Sequence, residues 1–267
     1  MTTSFKTTYF APASQGYRPA DGPFLRTPLR LNREGFSESS FAPTYGDYLQ
    51  DIREVVCRDA ERLCDAVGAR LDKDVAPGQI EEIRIYAEKH GSDYHPARVE
   101  VVANGTPAAF VMNVAVTERG RLRLYREFEV LKELNKKFDA PFLPTAYFRD
   151  EGIHPQRCGG LSDTNSPPLV MFLADWFEGY HEFHLSVDKT DRHQKLLIWD
   201  TRREAHYLPD TQAAQIYAQI AEILTGYYDL KTFRQIFPWH HAAGDFIVRT
   251  TNEASLVRLL SSRQYAP

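Results

Sequence analysis

The chain has 267 residues, 43% hydrophobic and 25% charged, which is enough to bury a core and build one domain of two lobes or a domain with an extension. A formal net charge of -4 and a pI near 6.1 leave no basic footprint, so neither nucleic acid nor an anionic membrane is expected as a partner. The three cysteines (Cys57, Cys64, Cys158) lack metal-ligand spacing and read as reduced thiols, and there is neither an apolar run of membrane-spanning length nor a signal-peptide core, so the expected location is cytoplasmic.

Residues 1 to 43 are rich in Pro, Gly, Ser and Thr and show neither helical nor strand periodicity. Their aromatics (Tyr9, Phe10, Tyr17, Phe24, Phe36, Phe41) predict an arm packed along the surface, because disordered segments are depleted in such residues. A helix follows from 44 to about 71. Thr44 can cap it while Asp47 returns the bond, and Tyr48, Ile52, Val55, Val56, Leu63 and Val67 recur at helical spacing. Arm and helix make a first segment, 1 to 76.

After Ala76-Pro77-Gly78 the pattern turns strand-like over 83 to 88, 98 to 103 and 108 to 116. The separators are HGSDYHP and NGTP, and Asn104-Gly105 is a tight-hairpin signal. A helix is predicted over 122 to 138, with Leu124, Phe128, Leu131 and Phe138 on one face and Glu127, Lys132, Glu133 and Lys137 around the others. Strands at 145 to 149 and 169 to 176 flank a Gly-, Pro- and Ser-containing loop at 150 to 168. Five strands and one helix thus form a lobe over 77 to 180.

In the last segment, 181 to 267, residues 195 to 199 and 205 to 208 read as a short hairpin. Residues 211 to 228 read as a helix apolar over a wide arc and therefore central, and 246 to 249 and 256 to 260 read as two strands around TTNEAS. The segment PWHHAAGDFIVR, 238 to 249, is the densest in chemistry: His240, His241 and Asp245 stand at the mouth of an apolar strand, where titratable groups can be held rigidly facing a cleft.

Three strands, a helix carrying a Glu, two strands, a linker, a long helix, a polar loop and a hairpin resemble, over roughly 80 to 264, the protein-kinase-like fold in its aminoglycoside and choline phosphotransferase branch. The resemblance implies an α+β fold: an antiparallel five-stranded amino-terminal lobe with one helix, and a reduced, mainly helical second lobe. It places Gly91 and Ser92 of HGSDYHP over nucleotide phosphates and matches Glu127 in YREFEVLKEL to the phosphate-positioning Glu. It also sets Asp175 to Gly179 of LVMFLADWFEGY, Glu178 included, near the base. In AFVMNVAV, Asn113 takes the place of the phosphate-binding Lys and lacks its charge. AAGDFIV puts Asp245 on the magnesium-binding position and His240 on the catalytic Asp, with His241 as the other candidate base. The second magnesium carboxylate falls near Ser261 or Ser262, beside Arg263. The other register makes Asp245 catalytic and Asn252 a metal ligand.

Three functions follow. The first is an ATP- and magnesium-dependent phosphotransferase acting on a small molecule. The second is an inactive relative that binds a nucleotide or a protein. The third is a metal enzyme of another class, with His181 and His184 of YHEFH joined to His240, His241 and Asp245 as ligands for zinc or ferrous iron.

Overall fold

Thr44 starts the first long helix in the way its side chain predicts. Its hydroxyl accepts from the Asp47 backbone N–H at 3.2 Å, and the Asp47 carboxylate accepts from the Thr44 N–H at 2.9 Å, closing a capping box. In the computed structural model the described residues are 5–29, 43–88, 94–152, 157–158, 161–162, 168–199, 205–239, 245–251 and 254–267. They fall into two units. One comprises residues 1–124 with 147–176, the other 125–146 with 177–267.

In the first unit the amino-terminal arm supplies strands β1 (Lys6–Pro12) and β2 (Tyr17–Pro19) and a short helix α1 (Gly22–Leu25). The helix expected over 44 to 71 is two helices, α2 (Tyr45–Cys57) and α3 (Ala60–Leu71). Asp59 divides them: its backbone is extended, and its carboxylate accepts from the Glu61 and Arg62 N–H groups, so it starts a new helix instead of continuing the old one. Next come β3 (Ile80–Ala87), β4 (Tyr94–Ala103) and β5 (Thr106–Ala115). Asn104 (φ 49°) and Gly105 (φ 72°) are both left-handed, as the tight β4–β5 turn requires. Helix α4 (Glu118–Lys137) runs on into the second unit. Strand β6 (Ala146–Glu151), the two-residue strands β7 (Arg157–Cys158) and β8 (Leu161–Ser162), and β9 (Val170–Asp175) complete the first.

The large sheet is ordered β2-β1-β3-β4-β5-β9-β6. Strand β1 lies parallel to β3, Lys6 opposite Glu82 and Phe10 opposite Tyr86. Aromatic packing explains why a segment without strand periodicity joins this edge: Phe10 stacks on Tyr86 at 4.5 Å, Tyr17 meets the same ring edge-on at 5.0 Å, and the Arg98 guanidinium lies 3.9 Å from its centre. One sheet face carries Ile83, Ile85, Val99, Val101, Phe110, Met112, Val114, Met171 and Leu173, which form the core with Leu49, Ile52, Val55, Leu63 and Val67 of α2 and α3. Burying that many aliphatic side chains, at about 1.5–3 kcal/mol each, makes these helices integral to the unit.

The second unit holds β10 (His181–Val187), β11 (Gln194–Trp199), β12 (His206–Tyr207), α5 (Asp210–Gly226), β13 (Gln235–Ile236), β14 (Phe246–Thr250), β15 (Ser255–Leu259) and β16 (Tyr265–Ala266). Its main sheet runs β12-β11-β10-β14-β15, antiparallel throughout, and β13 pairs with β16. Helix α5 buries only Ile216, Ile220 and Ile223, a narrow stripe and not the wide arc expected. Gln219 caps the edge of β15: its amide nitrogen donates to the Ser255 carbonyl at 2.6 Å, and its oxygen accepts from the Val257 N–H at 3.1 Å. Both otherwise open backbone groups are thereby satisfied.

The kinase-like architecture expected from the sequence is overturned. The three strands, the helix and the two strands after it are present, but they belong to a seven-stranded mixed sheet that includes the arm, not to a five-stranded antiparallel lobe. The second unit is built on a five-stranded sheet and is not mainly helical. The stretch 181 to 187, expected as a linker, is strand β10 at the centre of that sheet. Alternation along it, with Phe183 buried and Leu185 exposed on the same side, is too irregular to signal a strand by pattern alone. Among the described residues no helix is long and apolar enough to cross a membrane.

Candidate functional site

Asp245 stands immediately before β14 and is 2% exposed. Its backbone carbonyl accepts from the Leu260 N–H at 2.6 Å, extending the β14–β15 ladder by one rung. Its carboxylate Oδ1 accepts from the Arg263 guanidinium at 2.7 Å and from the Ser261 hydroxyl at 3.2 Å. A carboxylate buried to this degree needs such partners, because an isolated buried charge is too costly to keep. Ser262, between the two donors, is fully buried, and its hydroxyl oxygen has no hydrogen-bond partner among the described residues. Trp239 packs edge-on against Phe246 at 6.2 Å. His240 and His241, the candidate bases, lie outside the described residues, as do Gly91, Ser92 and Asn252.

Glu127 is 5% exposed and falls on the buried stripe of α4 with Leu131 and Leu134, not on a solvated face. Asn113 is half-buried on β5, opposite Pro96 on one side and Phe172 on the other. Asp175 ends β9 opposite Phe110, so it projects toward the sheet face that packs on α2 and α3, and Asn113 projects from the other face. Of the residues assigned to nucleotide binding in the first unit, the two that are described, Asn113 and Asp175, are therefore not brought together. Asp175 accepts from the Tyr147 hydroxyl at 2.7 Å, and the Arg70 side chain of α3 lies 3.6 Å away. Burial, then the Asp175 charge, push the Tyr147 phenol well above its ordinary range, so it acts as a donor throughout the physiological pH range.

Glu178 and Gly179 are exposed in a turn of the second unit, closed by a bond from the Tyr180 N–H to the Phe177 carbonyl at 3.4 Å. His181 pairs with Val248 in β10, and three positions along a strand His184 projects from the opposite face, where its ring lies tilted against Trp199 at 4.0 Å. These two histidines therefore do not converge on one ion. No group of three or more His, Cys, Asp or Glu side chains placed to hold a metal occurs among the described residues.

Two residues missed at the level of sequence are Arg249 and Arg258. The register of β14 with β15 pairs Ile247 with Arg258 and Arg249 with Leu256, so both arginines project from one face, diagonal to each other, while Val248 and Val257 fill the other. Their guanidinium carbons lie 5.1 and 5.7 Å from the centre of the Tyr180 ring. The strand pattern FIVR and LVRL contained this arrangement, but it depends on the pairing register across TTNEAS, which the sequence leaves open.

No family model matches the chain, and no curated protein matches it. The resemblance to phosphotransferases thus draws no support from either comparison.

Proposed function

We propose that this chain is a nucleotide-binding module that does not transfer phosphate. The observation that carries its second half, the absence of transfer, is the Asp245–Arg263 pair, while the nucleotide is kept from the sequence expectation. Phosphoryl transfer depends on positioning and on metal cations that neutralise developing charge. The carboxylate that the sequence reading assigns to magnesium is engaged by a guanidinium, which repels a divalent cation at that oxygen. The neighbouring position for a second carboxylate holds hydroxyls, Ser261 and Ser262, which are poor magnesium ligands beside an arginine. The charge expected of a strand lysine is absent at Asn113. A cytoplasmic setting fits the thiols: Cys57 and Cys64 are free, on separate helices.

The test is thermal unfolding with ATP, with and without magnesium, alongside an ATP-consumption assay. A module of this kind melts higher in ATP, by an amount equivalent to about 2.7 kcal/mol at a hundredfold excess over the dissociation constant, and consumes none. ATP consumption abolished by Asp245→Ala would restore the phosphotransferase. The absence of any ATP response would remove the nucleotide.

A further inference from the structure

We propose that Arg249 and Arg258, set against Tyr180, form a phosphate-binding site on the face of the β10–β14–β15 sheet opposite its buried side. The inference deepens the nucleotide-binding reading and rests on it for the identity of the whole ligand, though not for the phosphate chemistry. Many of the arginines are neutralised by a carboxylate. Arg58 and Arg62 bond Asp150, Arg84 bonds Glu82 and Glu100, Arg234 bonds Glu133, and Arg263 bonds Asp245. Among the described residues Arg249 and Arg258 make no ion pair. Both lie against the Tyr180 ring, and Arg258 also donates to the Val257 carbonyl at 3.1 Å and lies 5.8 Å from the centre of the Phe142 ring.

Two like charges held as diagonal neighbours on one sheet face repel each other; the carboxylate nearest them in the sheet, Glu182 opposite Ile247 in β10, projects from the same face but makes an ion pair with neither. What holds them there is aromatic and steric. The Tyr180 ring attracts both guanidinium groups through its electron-rich face. The turn at Gly179, with φ +74°, brings backbone against the stem of Arg249: a Cβ there would sit 3.5 Å from the Arg249 Cδ. The side chains are thus positioned before any ligand arrives, which lowers the entropy lost on binding. Guanidinium donors are fixed in planar forks that match the oxygens of a phosphate, and a group carrying two negative charges offsets both cations at once. Arg249 is exposed and Arg258 half-buried, so the fork remains open to a ligand.

The experiment measures binding of inorganic pyrophosphate, and separately of ATP, to the full chain at low salt by calorimetry, with unfolding temperature as a second readout. The proteins are wild type, Arg249→Gln, Arg258→Gln, the double variant, the charge-preserving Arg249→Lys/Arg258→Lys pair, and Lys231→Gln as a charge-matched control. Pyrophosphate is expected to bind wild type and the control alike. Binding is expected to weaken in each single variant, to fall at least tenfold in the double Gln variant, and to be partly recovered by the Lys pair. Equal pyrophosphate binding by wild type and the double Gln variant, or none by wild type, overturns the site. ATP binding that the double Gln variant retains in full overturns the site and leaves the nucleotide-binding reading standing. Arginine-dependent pyrophosphate binding with no response to ATP supports the site and removes the nucleotide-binding reading. The unliganded unfolding temperatures show that each variant is folded.

Discussion

Arg263 donates to the Asp245 carboxylate at 2.7 Å across the two ends of the β14–β15 hairpin, with the acid side chain 3% exposed and the arginine side chain 45% exposed. The asymmetry of burial sets the asymmetry of mutation. Arg263→Met strands a buried carboxylate and is expected to cost about 2–3 kcal/mol, somewhat below the usual loss for a broken buried pair because water reaches the arginine side. Asp245→Asn leaves Arg263 free to hydrate and keeps an acceptor for Ser261, so it is expected to cost less, about 1 kcal/mol. Urea unfolding of both variants checks the order; a smaller loss for Arg263→Met than for Asp245→Asn contradicts it.

The capping box at α2 gives a second expectation. Thr44→Ala removes the acceptor for the Asp47 N–H and is expected to lower stability by about 1 kcal/mol, while Thr44→Ser is close to neutral. Because α2 packs directly on the large sheet, this loss should appear in the main unfolding transition. Chemical denaturation followed by circular dichroism reads both changes.

In the turn after β10, the Lys195 side chain and then the Thr190 N–H hold the Asp188 carboxyl down at about 2. A depressed carboxyl stabilises the fold above its ordinary range, and this contribution disappears as pH falls from about 4 towards 2. Lys195→Met is expected to move the Asp188 titration back towards the ordinary carboxylate range and to flatten the acid limb of the stability curve. Carboxyl NMR on wild type and variant measures the shift.

Burial pushes the Cys57 thiol up to about 11. At pH 8 a thiol with that value holds a few-hundred-fold less thiolate than an ordinary cysteine. Cys57 should therefore react slowly with an aromatic disulfide reagent in the folded chain and at once in denaturant. Fast labelling of Cys57 in the native state, read by mass spectrometry, would contradict the raised thiol value at this half-buried position.

Local signals were the legible ones. Thr44 and Asp47 announced a helix start, Asn104-Gly105 announced a hairpin, and Asp245 stood out as polar chemistry at a strand mouth; each rests on contacts between residues close in sequence. What was not legible depended on distant partners. Nothing in Lys6–Pro12 shows that it will lie beside β3, because that strand is recruited by aromatic packing on Tyr86, some 70 positions away. Glu127 looked like one of several charges on a solvated helix, and only tertiary packing turned it inward.

By itself the sequence determined which stretches become helices and strands over most of the chain, and the net charge. These depend on periodicity, turn residues and net charge, all properties of the chain alone. The tertiary structure decided the sheet order, the face from which each strand residue projects, and so the partners of its charges. Asp245 became half of an ion pair, Asn113 and Asp175 were sent to opposite faces, and Arg249 and Arg258 were set side by side. The physical reason is the two-residue repeat of a strand: its alternation is written in the sequence, but the register that gives it meaning is fixed only when two strands pair.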